Sequence, residues 1–214
     1  ITYSSKASEV QNGMCFQSRP TVRDHAGTFF WKSKDITMTS LDIHFLHGFG
    51  MVGQHSENIT MDDVDFEAPK ESGRTTAGYA DFVQMSGCKG TINISNCTFA
   101  GPHDDPINIH GTFNTVTAIS SDRRTITVQY NHNETAGFPN FFEGDEIEFM
   151  TKGNMITVED SVRTVTKVDG PDGMGGNMGD GSGSLTTIKL TLNEAVPSDV
   201  QVNQHVVENI TYTP

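Results

Sequence analysis

ITMTSLDIHF, residues 36–45, carries apolar side chains at the same places as ITMDDVDF (59–66) and INISNCTF (92–99). The matched columns are Ile36/Ile59/Ile92, Met38/Met61/Ile94, Leu41/Val64/Cys97 and Ile43/Phe66/Phe99. Ile36 and Ile59 are 23 residues apart, Ile59 and Ile92 are 33 apart, and Ile92 and Val116 are 24 apart. The longer step is one period enlarged by the polar insertion APKESGRTTAGY (68–79). A period in the low twenties, built from short alternating strands, describes a solenoid. Each turn buries one face of every strand and stacks on the next at about 4.8 Å. The leucine-and-asparagine consensus of leucine-rich repeats is missing. The expected fold is therefore all-β, a right-handed parallel β-helix.

Beyond Val116 the pattern changes. TVTAIS, RTITVQY, DEIEFM, MITVEDSVRTVTKV and LTTIKLTL alternate with period two and are separated by turn residues. That predicts a small antiparallel β-barrel inserted into the solenoid. The string ENIT at 57–60 returns at 208–211, which predicts a return to the coil. The expected organisation is β-helix over 1–114, barrel over 115–204 and β-helix again over 205–214, in a chain read as part of a longer polypeptide. The loop PDGMGGNMGDGSGS (171–184) is glycine-rich but has no phosphate-loop lysine or fingerprint spacing.

The composition agrees with many turns and few helices. Apolar residues make up 35%, charged residues 19%, and there are 21 glycines among 214 residues. No run is apolar enough to span a membrane. With 27 acidic and 14 basic residues the net charge is -13, and no basic patch of the kind nucleic acids need is present. Anionic polysaccharides and membranes would be repelled, so a neutral ligand fits best. Cys15, Cys88 and Cys97 do not form a disulfide framework or a zinc site, and Cys97 falls in a core column. N-x-S/T triplets begin at Asn58, Asn93, Asn96, Asn133 and Asn209 and read as turn chemistry. No signal peptide is present and the first residue is Ile, as in a processed or excerpted chain.

GPHDDPINIHG (101–111) sets Asp104 beside Asp105 at the mouth of a strand. Asp81, in ADFVQMSG, lies 23 residues before Asp104, so the three are expected on adjacent coils. Val83 and Met85 then match Ile107 and Ile109 as inward residues, with Gln84, Asn108 and His110 outward. Asp104 also points outward. Strict alternation turns Asp81 and Asp105 inward, but a corner at the strand entrance can reset the pleat, so their orientation stays open. Three carboxylates on one patch can protonate a glycosidic oxygen and activate a water. They could equally ligate a hard cation such as Ca²⁺, or form an Asp-rich turn stack.

FFWKS (29–33), HGFGMVGQHSENITM (47–61), ADFVQ (80–84) and HDDPINIHG (103–111) resemble glycoside hydrolase family 110. The resemblance covers most of residues 15–112. It implies an exo-acting α-1,3-galactosidase on a right-handed β-helix with appended barrels. It further implies inversion without a metal or other cofactor, with Asp81, Asp104 and Asp105 as the catalytic acids. The substrate would be a glycan with terminal α-1,3-linked galactose.

The same layout of one Asp and a later Asp pair occurs in polygalacturonases, which remain an alternative. Their Gly-His-Gly and Arg-x-Lys motifs are missing here. A lyase would want a Lys or Arg base beside the acids. None is adjacent in the register, although Arg74 in the insertion could fold over. A non-catalytic carbohydrate-binding solenoid is the remaining alternative. Trp31, the single tryptophan, is a candidate sugar-stacking wall. His47 and His103 are candidates to border the groove, and Gln54, Gln84, Asn108 and His110 to bond sugar hydroxyls. An extracellular or periplasmic location is expected, and a homo-oligomer is allowed.

Overall fold

The structure is a computed structural model and describes residues 10–14, 16, 23, 25–132, 135–136, 138–171 and 187–213. Cys15, Asn133 and residues 172–184 of the glycine-rich loop lie outside the described residues. The first part builds two parallel sheets from strands that alternate along the chain. One sheet contains β1 (Thr28–Trp31), β3 (Met51–Gln54), β5 (Val83–Ser86) and β8 (Ile107–His110), in that order. The other contains β2 (Lys34–Asp42), β4 (Glu57–Phe66) and β6 (Lys89–Ser95), with β7 (Thr98–Phe99) also beside β4.

The sequence columns become ladder pairs. Ile36, Ile59 and Ile92 are in register, as are Met38, Met61 and Ile94. Leu41 faces Val64, and Phe66 faces Phe99. Ile59, Met61, Val64 and Phe66 on the central strand β4 are fully buried, and Phe82, Val83 and Met85 join them from the other sheet. Their equivalents on the outer strands are less covered, because an edge strand has a sheet neighbour on one side only. Ile107 and Ile109, expected inward, match Val83 and Met85 in register yet are 38% and 39% exposed on edge strand β8. Cys97 is likewise only half-buried, packed against the core rather than inside it.

The chain turns three times per coil through left-handed residues stacked in columns. These are Lys32/His55/Gly87, Asp35/Asn58/Gly90 and Ser40/Asp63/Asn96. Short polar side chains and glycine tolerate this backbone best. The columns are also tied together by side chains. Asn58 Nδ2 donates to Asp35 Oδ1 at 2.8 Å, Asn58 Oδ1 accepts from the Thr91 N–H at 3.2 Å, and Ser40 Oγ donates to Asp63 Oδ2 at 2.7 Å.

The second part is a closed antiparallel barrel. Its strands are β9 (Asn114–Ile119), β10 (Thr125–Tyr130), β11 (Glu146–Thr151), β12 (Arg163–Asp169), β13 (Thr187–Leu192) and β14 (His205–Asn209). They close in the order β10-β13-β12-β11-β14-β9. Every second residue points into a core that includes Val116, Ile126, Val128, Ile147, Phe149, Ile188 and Leu190. Two expectations change here. Val116 sits in this core, not in a coil of the repeat. Residues 205–209, expected to resume the coil, are the strand between β9 and β11 that closes the barrel, and a 3₁₀ turn over Ile210–Tyr212 follows. All five residues of β14 are buried, because barrel interior and sheet-facing surface cover its two sides.

Aromatic rings join the two parts. His55, on the loop after β3, meets Trp31, Phe142 and Tyr212 edge-on at centroid distances of 5.0, 5.1 and 5.0 Å. Burial, with the Lys32 charge adding to it, pushes the His55 imidazole down to about 4. Between its ordinary value near 6.5 and that level, the unfolded chain takes up a proton that the folded chain refuses. Stability is therefore complete above pH 6.5 and falls as pH drops towards 4, by up to about 3 kcal/mol at 1.36 kcal/mol per pH unit. His55→Asn, which suits the left-handed backbone, is expected to lose distinctly less stability than wild type between pH 7 and 4.5 in denaturant titrations. Equal losses in both proteins would exclude His55 as the source.

Candidate active site

The entrances of β5 and β8 bring the carboxylates together. Phe82 N–H donates to the Asp105 carbonyl at 3.1 Å, and Val83 N–H to the Pro106 carbonyl at 3.2 Å. Val83 pairs with Ile107, so the step between these coils is 24 residues and Asp81 stands opposite Asp105, not Asp104 as the 23-residue count suggested. One oxygen from each of Asp81, Asp104 and Asp105 lies within 4.8 Å of the others. Asp81 is buried, at 3% exposure, whereas Asp104 and Asp105 face solvent. The strand entrance thus overrides strict alternation.

Burial is the main influence raising the Asp81 carboxyl above the usual carboxylate range. Asn108 opposes it by donating from Nδ2 to Asp81 Oδ2 at 3.1 Å; the Asp104 and Asp105 charges raise it further, and Arg23 lowers it. One partly neutral acid beside two exposed ones is the arrangement that acid/base chemistry requires. Oxygens this close could also share a hard cation at about 2.4 Å from each. The positive charge that the structure does provide is Arg23, whose Nη2 donates to Asp104 Oδ2.

The HGFG turn forms one wall. Gly48 and Gly50 adopt φ of +56° and +80°, and a Cβ on either would lie 2.0 Å from the carbonyl oxygen of His25 or Asp81 respectively. Only glycine lets this turn press against the Asp81 backbone. Phe49 between them is buried and lies under the Arg23 guanidinium, 5.5 Å from carbon to ring centre. Sequence reasoning missed Arg23 and Phe49. Arg23 belongs to no repeat column, but the two left-handed glycines flanking a Phe are a readable signal for a close approach.

The other expected site residues divide. Asn108 contacts the trio directly, and Gln84 stands beside it in register, with its Nε2 3.3 Å from His110 Nε2. His103 immediately precedes the Asp pair, and His47 lies on the HGFG turn, its ring 6.2 Å from that of His25. Trp31, Gln54 and His110 share a different column, with Ser86, at the far end of the sheet. Five residues of extended chain separate Asp105 from His110, about 16 Å. Trp31 is therefore not brought to the trio. It packs in the aromatic cluster at the barrel junction, with Phe142 6.2 Å away. Arg74 does not fold over the acids either; its guanidinium lies 4.2 Å above the Phe45 ring.

Among known proteins, residues 125–171 match the family described as GLAA-B beta-barrel domain II. This segment holds β10, β11 and β12 of the barrel. Over all 214 residues the chain is 47% identical to alpha-1,3-galactosidase A of Streptomyces avermitilis, covering 100% of this chain and 33% of that protein. It is 44% identical to alpha-1,3-galactosidase A of Peterkaempfera griseoplana, covering 100% of this chain and 30% of that protein. The protein of the same name from Bacteroides thetaiotaomicron is 40% identical over 93% of this chain and 33% of its own length. The chain thus spans about a third of the length of the curated relatives it matches.

Proposed function

We propose, from the premise that the chain belongs to glycoside hydrolase family 110, that it carries the carboxylate centre of an exo-acting glycosidase. This enzyme removes terminal α-1,3-linked galactose from glycans. The observation that carries the reading is the convergence of three carboxyl groups, one buried and two exposed, with oxygens within 4.8 Å of one another. In the reaction one carboxyl protonates the departing glycosidic oxygen while an ionised partner takes a proton from the attacking water. The buried Asp81 is suited to hold a proton near neutral pH. The Arg23-paired Asp104 is suited to remain a carboxylate.

On this reading the two parallel sheets are successive coils of a right-handed parallel β-helix, and the barrel is an insertion between coils. Attack by water gives inversion at the anomeric carbon with no metal ion. Arg23 supplies beside Asp104 the positive charge that a metal would otherwise bring. Glycan substrates of this kind are met outside the cell or in the periplasm, and that is the proposed location.

Proton NMR of the first product from the full-length protein and a terminal α-1,3-galactoside tests these statements together. β-Galactose is expected to appear first and to be unaffected by EDTA. α-Galactose first would replace inversion by retention. Loss of release in EDTA would turn the trio into a cation site.

A further inference from the structure

Arg23 is held from two sides. Its Nη2 donates to Asp104 Oδ2, and its guanidinium lies over the ring of buried Phe49. Phe49 is itself fixed, donating its N–H to the His25 carbonyl at 2.7 Å within the turn that presses on Asp81. A planar guanidinium seated on an aromatic face keeps one orientation and offers its fork to a carboxylate. The same turn therefore supports Asp81 from behind and, through Arg23, Asp104 from above.

We infer that Arg23 is a positioning residue for the trio, orienting Asp104 and setting the charge against which the three acids exchange protons. This rests on the glycosidase reading of the site. Carboxylates this close cannot all ionise cheaply, and a neighbouring cation offsets part of that repulsion. Arg23 also acts on Asp81, where its charge opposes the effect of burial. Its loss should raise the proton affinity of all three acids together, since each loses the same attraction. The groups facing the trio are Asp81 ahead of β5, His103, Asp104 and Asp105 ahead of β8, and His25 and His47 beside the glycine turn. None of these changes in an Arg23 variant, so the difference from wild type reads Arg23 alone.

The test compares full-length wild type, Arg23→Gln and Arg23→Lys in the pH dependence of kcat/KM on a terminal α-1,3-galactoside. Arg23→Gln is expected to move both limbs of the profile to higher pH by about one unit, with kcat falling more than KM changes. Arg23→Lys should return the limbs towards wild type without restoring the full kcat, because an ammonium lacks the planar seat on Phe49. Limbs that stay in place while only KM rises would overturn the inference and make Arg23 a sugar contact.

A thermal-unfolding cycle with Asp104→Asn reads the pairing without any hydrolysis. The destabilisation caused by Asp104→Asn should shrink once Arg23 is already Gln, and strict additivity would overturn the pairing. Absent galactose release in wild type together with a coupled cycle would fail the glycosidase reading and leave Arg23's hold on Asp104 standing.

Discussion

Asp81→Asn and Asp104→Asn are each expected to lower galactose release by the full-length protein about 10²–10⁴-fold, the usual contribution of a positioned acid or base. Asn keeps the size and shape of the side chain and removes only its ability to exchange a proton. Folding should survive both changes, for different reasons. Asp81 is raised mainly by burial, so its charge at neutral pH works against the fold and a neutral amide relieves that cost. Asn at 81 can still accept the bond that Asn108 donates. Asp104 is exposed and its pair with Arg23 is part-solvated, so losing it should cost at most about 1 kcal/mol. Release assays beside melting curves therefore separate chemistry from stability. A variant at either position that stays folded and releases galactose at the wild-type rate would remove that residue from the reaction.

The largest expected loss of stability lies one layer beneath the site. Phe66 is fully buried between two other rings, 5.6 Å from Phe82 and 5.1 Å from Phe99 and tilted by only 11° and 10°. It is the central member of a stack that crosses from one parallel sheet to the other. Phe66→Ala should destabilise the fold by about 3–5 kcal/mol, combining lost transfer energy with a cavity that neighbours in register cannot fill. Phe66→Leu should cost clearly less because it leaves a smaller void. Urea unfolding monitored by far-UV circular dichroism measures both. A loss below about 1 kcal/mol for the alanine variant would mean that the stack carries little of the core's cohesion. Phe82 directly follows Asp81, so the same cavity gives the site's backbone room to shift, and activity should fall at temperatures where the variant still folds.

The parallel ladders were legible because identical burial recurs at fixed spacing, and a side-chain column is a property of the chain itself. The convergence of the three acids was legible for the same reason, although the insertion and the strand entrance changed which of the Asp pair stands opposite Asp81. What escaped depends on contacts with distant residues. ENIT occurs twice and takes two conformations. Asn58 has φ +55° in a corner column, whereas Asn209 has φ −83° and accepts from the Thr211 N–H at 3.0 Å. The second copy is captured by the barrel, since Asn209 Nδ2 donates to the Asn140 carbonyl at 2.9 Å and to Asp145 Oδ2 at 2.7 Å. Four identical letters could not reveal that. Trp31 was misplaced for a related reason. A single aromatic on an outward position reads equally well as a sugar platform or a packing surface, and only the neighbouring Phe142 and His55 decide between them.

The barrel leaves the parallel sheets through β9 and comes back through β14, and these two strands are hydrogen-bonded neighbours, Asn114 opposite Val207 and Thr115 opposite Val206. Its entry and exit are therefore a single strand spacing apart. A unit attached in this way is a cassette: a genome can acquire it, lose it or trade it for another without rerouting the scaffold, and the ring surface around His55 is the socket that any replacement would have to fit.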